Sequence, residues 1–144
     1  MKKVIGRKTK ISLPEWEIEG VLAKVDTGAY TSAVHAEEVK EELEDGHQIL
    51  KFSLLPPHHP KHTGNLIQTR NYTIKKVKNS FGQVEHRYKV KTKVDVMGDQ
   101  IDAEFTLSDR KKMKNAILLG RKLLKGRFLV DVDLVPAKSK KQIP

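Results

Sequence analysis

The chain contains no cysteine. Disulfides, thiolate metal sites and cysteine nucleophiles are therefore excluded, and the absence fits a reducing compartment. Long apolar runs are missing as well: no stretch approaches the roughly 20 residues that a membrane-spanning helix needs. Aromatic residues make up 6% of the chain, with one tryptophan, Trp16. No aromatic series is interleaved with the basic residues in the manner that stacks nucleic-acid bases. Neither a Gly-x-x-x-x-Gly-Lys-Ser/Thr phosphate loop nor a His-Glu-x-x-His zinc helix occurs. The opening Met1-Lys2-Lys3-Val4-Ile5-Gly6-Arg7 lacks the apolar core of a signal peptide. These absences predict a cytoplasmic protein without a membrane segment.

What is present is enough for one domain with a real core. The 144 residues are 38% hydrophobic and 32% charged, the balance of a surface-rich globular chain. The net charge of +10 is lopsided: residues 1–72 hold ten basic and ten acidic side chains, and residues 73–144 hold eighteen and eight. A basic half predicts an acidic partner, whether nucleic acid, a ribosomal surface or an acidic peptide, against the plain alternative of a solvated basic face.

Hydrophobic periodicity is overwhelmingly of the β type. Residues 3–13 read as one or two short strands broken near Gly6, and Pro14-Glu15-Trp16 as a corner that places Trp16 as a lid on a small barrel. Ile18 to Val25 is a strand. Residues 36–45 read as a short helix with Val39 and Leu43 on one face, or as an acidic surface loop, since six of the nine residues 37–45 are acids. Gln48 to Leu54 is again a strand. The segment Pro56-Pro57-His58-His59-Pro60-Lys61-His62 is a connector, too rich in proline for a central strand. Its three histidines invite a metal-hydrolase reading, yet they lack a fourth ligand at characteristic spacing, so no metal site is predicted.

Tyr72 to Lys78 forms the next strand, and Asn79-Ser80-Phe81-Gly82 a turn with a hydrophobic tip. From Val84 to Val96, apolar and charged residues alternate strictly, which predicts an antiparallel strand with one buried face. Gly98-Asp99 closes a hairpin into Ile101–Leu107. Ser108 to Lys114 suggests a helical turn capped by Ser108. Ala116-Ile117-Leu118-Leu119-Gly120 is apolar throughout and so buried on both faces. A short helix follows from Gly120, then a last strand from Arg127 to Val132. Residues 1–135 form the domain, and the basic residues 136–144 are expected to be a disordered tail.

One stretch carries the chemistry. Val21-Leu22-Ala23-Lys24-Val25 is a strand that delivers Asp26, and Thr27-Gly28-Ala29 follow at once. A carboxylate at the end of a strand is held at a rigid edge. Gly28 permits a positive φ or a close backbone approach, and its amide can donate to the carboxylate. The Thr27 hydroxyl can lock the turn.

Asp26-Thr27-Gly28-Ala29, followed far downstream by Ile117-Leu118-Leu119-Gly120-Arg121 with a hairpin between, resembles the retropepsin half of the aspartic protease fold. The similarity extends to the bacterial and archaeal retropepsin-like family labelled ATP-dependent zinc proteases, associated with RimK-type ligases that add glutamates to a ribosomal protein. It includes Ile5-Gly6, Leu13-Pro14, Ser32-Ala33, Lys78-Asn79-Ser80 with Gly82, Glu85 and Arg87, Thr106-Leu107-Ser108-Asp109-Arg110 with Met113, and Val130-Asp131. The resemblance implies an all-β fold: a small closed β-barrel of retropepsin type with one or two short helices. It implies Asp26, Thr27 and Gly28 as the catalytic turn, and Ala29 with the flap-like Asn79, Ser80, Phe81 and Gly82 as substrate-binding. A dyad needs two carboxylates. With one Asp-Thr-Gly per chain, it requires a homodimer that supplies Asp26 twice. Zinc and ATP are implied by the family label only and have no motif here. Arg110 and Arg121 would be structural or would face an acidic substrate, with a structural role favoured for Arg121 because it follows a buried strand. The expected function is an aspartic-type peptidase acting on acidic or glutamate-tailed peptide. The alternative is a non-catalytic module of the same fold binding ribosomal RNA or a modified ribosomal protein, its basic strand face being Arg87, Lys89, Lys91 and Lys93.

Overall fold

The computed structural model describes residues 2–78 and 80–134. The strands are β1 (Lys3–Ile5), β2 (Lys8–Leu13), β3 (Ile18–Val25), β4 (Ser32–Glu44), β5 (His47–Leu54), β6 (Ile67–Thr69), β7 (Tyr72–Lys78), β8 (Val84–Val96), β9 (Asp99–Ser108), β10 (Ile117–Leu119) and β11 (Phe128–Val130). Among the described residues a single 3-10 turn covers Pro14–Trp16, and the one α-helix is α1, Arg121–Leu124.

Six strands close on themselves in the order β10-β3-β2-β8-β9-β4, with β4 returning to β10. The fold is thus the closed, nearly all-β barrel that the sequence implied. Closure removes the open edges that an alternating β chain would otherwise expose. Phe105, Leu13, Val94, Val96, Ile117 and Leu119 are fully buried in the barrel core, joined by Phe52 from β5. Each such side chain contributes about 1.5–3 kcal/mol of burial. Trp16 is half-buried and meets Phe52 edge-on, with ring centroids 5.5 Å apart, as its expected role as a lid requires.

The acidic stretch at 36–45 is neither helix nor loop. It is the outer half of β4, paired antiparallel with β5 through Glu44↔His47. Asp45 and Gly46 take φ 50° and 77°, the two-residue left-handed turn that Asp-Gly favours in hairpins. Cross-strand pairing also serves the acids: Lys51 lies 2.6 Å from Glu42 and 2.7 Å from Glu44. A helix would have stacked like charges at i, i+4. The segment after β9 is a single turn, in which the Met113 N–H donates to the Arg110 carbonyl at 2.9 Å, and the side chain that braces it is Asp109, not Ser108: its Oδ1 accepts from the Lys111 N–H at 3.0 Å.

Strand β8 departs from expectation in one respect. Its inner half alternates as predicted, with Val90, Thr92, Val94 and Val96 buried, but Val84 to Arg87 are exposed on both faces. This outer half pairs only with β7, so the two strands stand off the barrel as a ribbon. The last strand is shorter than expected and lies parallel to β1, in register Lys3↔Phe128 and Ile5↔Val130. The tail expectation for 136–144 falls outside the described residues.

Candidate active site

The turn after β3 is built from both sides. Parallel pairing sets Leu119 beside Val25, and the Asp26 N–H extends that ladder by donating to the Leu119 carbonyl at 2.9 Å. The carboxylate is therefore anchored to the barrel wall. Its Oδ1 accepts from the Gly28 N–H at 2.9 Å, and a Cβ on Gly28 would sit 3.1 Å from that same oxygen. Close approach, not positive φ, is what favours glycine there. The Ala29 N–H donates to the Asp26 carbonyl at 3.3 Å and closes the turn.

Gly120 is the other fixed point. A Cβ there would lie 2.6 Å from the Tyr30 carbonyl oxygen and 2.8 Å from Thr31 carbon, both backbone. The absence of a side chain lets the β10–α1 junction cross directly behind the Asp26 turn. Its N–H donates to the buried Ser32 hydroxyl at 3.0 Å. Arg121 and Lys122 donate their backbone N–H groups to the Ala29 and Tyr30 carbonyls at 2.8 and 2.9 Å. The Arg121 guanidinium adds a bond to the Thr27 carbonyl at 2.9 Å and lies over the Tyr30 ring, 5.7 Å from its centroid. Arg121 thus clamps the turn through a carbonyl and a ring rather than through an ion pair.

Arg110 reaches the site from the other side. Its Nε donates to the Asn115 carbonyl at 3.1 Å. Burial lowers the proton affinity of its guanidinium, and the nearby Asp26 charge works in the opposite direction. Arg110 is held in turn by His35, a fully buried residue that pattern reasoning passed over. The Nδ1 of His35 accepts from the Arg110 N–H at 2.7 Å, and its Nε2 faces the Glu37 carboxylate. A neutral ring with the proton on Nε2 meets both demands.

The site residues named from sequence fall into two places. Asp26, Thr27, Gly28 and Ala29 form the turn just described. Ser80, Phe81 and Gly82 lie at the outer end of the β7–β8 ribbon, with Phe81 88% exposed, and Asn79 lies outside the described residues. A cleft of about 680 Å³ next to Val25, at the end of β3, was not anticipated. It is lined by Arg7, Lys24 and Lys114 as well as Arg110 and Val25. Those cations are far apart in sequence and meet only in the fold, where the Val25 N–H donates to the Arg7 carbonyl at 2.8 Å. No single stretch of sequence advertises them.

Zinc does not fit the residues present. No group of three His, Cys, Asp or Glu side chains among the described residues is placed to hold a metal ion. In the histidine loop, His62 Nδ1 lies 2.8 Å from the Leu55 carbonyl and His59 Nδ1 accepts from the Lys61 N–H at 3.0 Å. Those ring nitrogens serve the loop's own folding. ATP has no phosphate loop to receive it.

A closed β-barrel with an Asp-Thr-Gly turn backed by an apolar-apolar-Gly strand is the arrangement of a retropepsin-like domain. The chain belongs to the RimB-like family: a family model described as retropepsin-like aspartic endopeptidase RimB matches residues 4–141. It is 33% identical over 135 residues to a probable α-L-glutamate ligase of Desulfotalea psychrophila, covering 92% of this chain and 29% of that protein. A probable α-L-glutamate ligase of Shewanella halifaxensis is 28% identical over 130 residues, 90% of this chain and 28% of that one. The chain therefore spans under a third of the length of these curated relatives. The fold is shared with Lpg0085 of Legionella pneumophila, a protein of unknown function, at TM-score 0.72 and 22% identity over 95% of this chain and 98% of that one.

Proposed function

We propose that the chain is one protomer of a homodimeric aspartic-type peptidase that hydrolyses acidic or glutamate-tailed peptide, in connection with ribosomal protein modification. The observation that carries this is the Asp26 carboxylate, half-buried, held by the Gly28 amide and tied by its own N–H to Leu119. Two such carboxylates across a two-fold axis would share one proton. The ionised one takes a proton from water, whose oxygen attacks the scissile carbonyl carbon. The protonated one donates to the carbonyl oxygen. Collapse of the tetrahedral intermediate breaks the C–N bond, and the amine leaves with the transferred proton. Thr27 and Gly28 hold the turn, and Ala29 with the ribbon tip Ser80-Phe81-Gly82 would cover the peptide.

Two further observations support the reading. The β1–β11 ribbon stands apart from the barrel sheet, and it exposes Val4 by 44% and Leu129 by 54%. Apolar strands with an unpaired edge suit pairing with a second copy. The relatives in which this domain forms part of a longer chain carry the name of glutamate ligases, which supports a glutamate-containing substrate.

Incubating purified protein with a glutamate-tailed peptide and following fragments by mass spectrometry tests the reading. Wild type should release fragments and Asp26→Asn should release none. Equal activity in the two proteins would overturn it. The second reading, a non-catalytic module for an acidic partner such as ribosomal RNA, draws on the exposed cations Lys75, Lys76, Lys78 and Arg87 of the β7–β8 ribbon. It predicts RNA affinity that collapses steeply with salt and is unchanged by Asp26→Asn.

A further inference from the structure

Among the described residues, His35 is the only buried ionisable side chain, and it holds Arg110 from behind. Its Nδ1 accepts the Arg110 N–H at 2.7 Å, which requires that nitrogen to carry no proton. A second partner stands close to the same nitrogen. Asp109 Oδ1 lies 3.7 Å from Nδ1, beyond hydrogen-bond length. The other nitrogen, Nε2, faces the Glu37 carboxylate, which Lys111 approaches at 3.9 Å. The segment entering β10 and the end of β5 meet His35 through backbone. Ala116 accepts its N–H at 2.8 Å, and Leu55 donates to its carbonyl at 3.0 Å. On that β5 side, His62 Nδ1 lies 2.8 Å from the Leu55 carbonyl.

We propose that His35 is a proton-operated latch on Arg110: the neutral ring holds the Arg110 N–H, and a second ring proton ends that bond and turns Nδ1 to the Asp109 carboxylate. The proton comes from solvent and occupies the lone pair that now accepts from Arg110, so two N–H donors would face each other. Asp109 and Arg110 are neighbours in one turn, and drawing Asp109 toward the ring moves the Arg110 amide away. The imidazolium is not left as an isolated buried charge, because Glu37 and Asp109 flank its two nitrogens. The Asp109 carboxyl is held below the usual carboxylate range, first by the Lys111 N–H, so it stays charged when the ring titrates. Arg110 feels the Asp26 charge, and its guanidinium is otherwise anchored at the Asn115 carbonyl. Releasing its backbone therefore loosens the cationic side of the Asp26 turn as pH falls. The consequence for cleavage rests on the peptidase reading, while the latch itself stands on His35, Asp109 and Arg110.

The test is NMR on the whole chain, following the His35 ring nitrogens and the Arg110 amide from about pH 8 to about pH 5. Both should report one midpoint, with the exchange protection of the Arg110 amide falling about tenfold across it. Asp109→Asn, at an exposed position, keeps an oxygen for the Lys111 N–H but removes the charge. The shared midpoint should then move to lower pH. His35→Asn offers an amide oxygen that does not titrate, so the transition at Arg110 should vanish. Should that core variant fail to fold, Asp109→Asn decides alone. A ring that stays neutral throughout, an Arg110 amide indifferent to its protonation, or a midpoint that Asp109→Asn leaves in place would overturn the latch. Cleavage is a separate readout: wild type should lose kcat/KM on the acid side at that same midpoint, and His35→Asn should not. If the NMR transitions appear but wild type cleaves nothing, the peptidase reading fails and the latch stands. Cleavage without those transitions keeps the peptidase and removes the latch.

Discussion

The hydroxyl of Tyr72 donates to the Glu41 carboxylate at 2.6 Å, and Tyr88 reaches its other oxygen at 3.4 Å. Glu41 belongs to the acidic half of β4, so this contact fastens the foot of the β7–β8 ribbon to the β4–β5 hairpin. The Tyr72 phenol is pushed up to about 12, first by burial and then by the bond to Glu41. Because the folded value lies above the unfolded one near 10, the folded state holds the proton more tightly. The resulting stability is fully present below pH 10 and drains away as pH rises from 10 to 12. Phenolate absorbance should show a transition near 12 that Tyr72→Phe removes. Glu41→Gln should lower it part of the way and cost about 1 kcal/mol in urea unfolding. A transition that ignores both changes would disprove the tie.

Gly120→Ala is expected to be severe for so small a change. The added methyl would meet the Tyr30 carbonyl and Thr31 backbone, neither of which can rotate away. Displacing the loop strains the Arg121 and Lys122 N–H bonds to Ala29 and Tyr30. A loss of about 1–3 kcal/mol is expected by the scale of overpacked sites, measured as a lowered urea midpoint. An unchanged midpoint would mean the crossing is looser than described.

His35→Leu removes an acceptor for the Arg110 N–H and the partner of Glu37 in a site where His35 itself is fully buried. Leaving such groups unmatched costs about 2 kcal/mol in total, since Glu37 is still partly in water. Amide exchange at residue 110 should rise sharply, and peptide affinity at the Asp26 site should fall with it. If affinity holds while stability drops, His35 serves the core alone.

Much of this architecture was legible because strands announce themselves by alternation. Tyr72–Lys78 and Val84–Val96 appear in the fold with the bounds that their pattern drew. Alternation records which residues share a face, however, and not whether that face is covered. The outer half of β8 obeys the pattern and lies in water. At 36–45 the i, i+4 pair Val39 and Leu43 imitated a helix, while the decisive signal was the Asp45-Gly46 turn. The Asp26 turn was readable because its parts are contiguous or motif-like. His35 was not, because the Arg110 N–H that needs it is 75 residues away. Arg7, Lys24 and Lys114 were hidden for the same reason: they are far apart in the chain and line one cleft only in the fold.

The dimer requirement yields the last prediction. If Asp26 must be supplied twice, monomeric protein cannot hydrolyse peptide, and activity should rise with the square of concentration at high dilution. The β1–β11 ribbon is the surface to break. Leu129 is 54% exposed and Val4 44% exposed in the single chain, so Leu129→Asp and Val4→Asp should leave the barrel folded by circular dichroism. Each should convert a sedimenting dimer to monomer and abolish cleavage, because a charge on an apolar pairing surface costs several kcal/mol once desolvated. Cleavage by a variant that sediments as a strict monomer would remove the two-fold dyad from the mechanism.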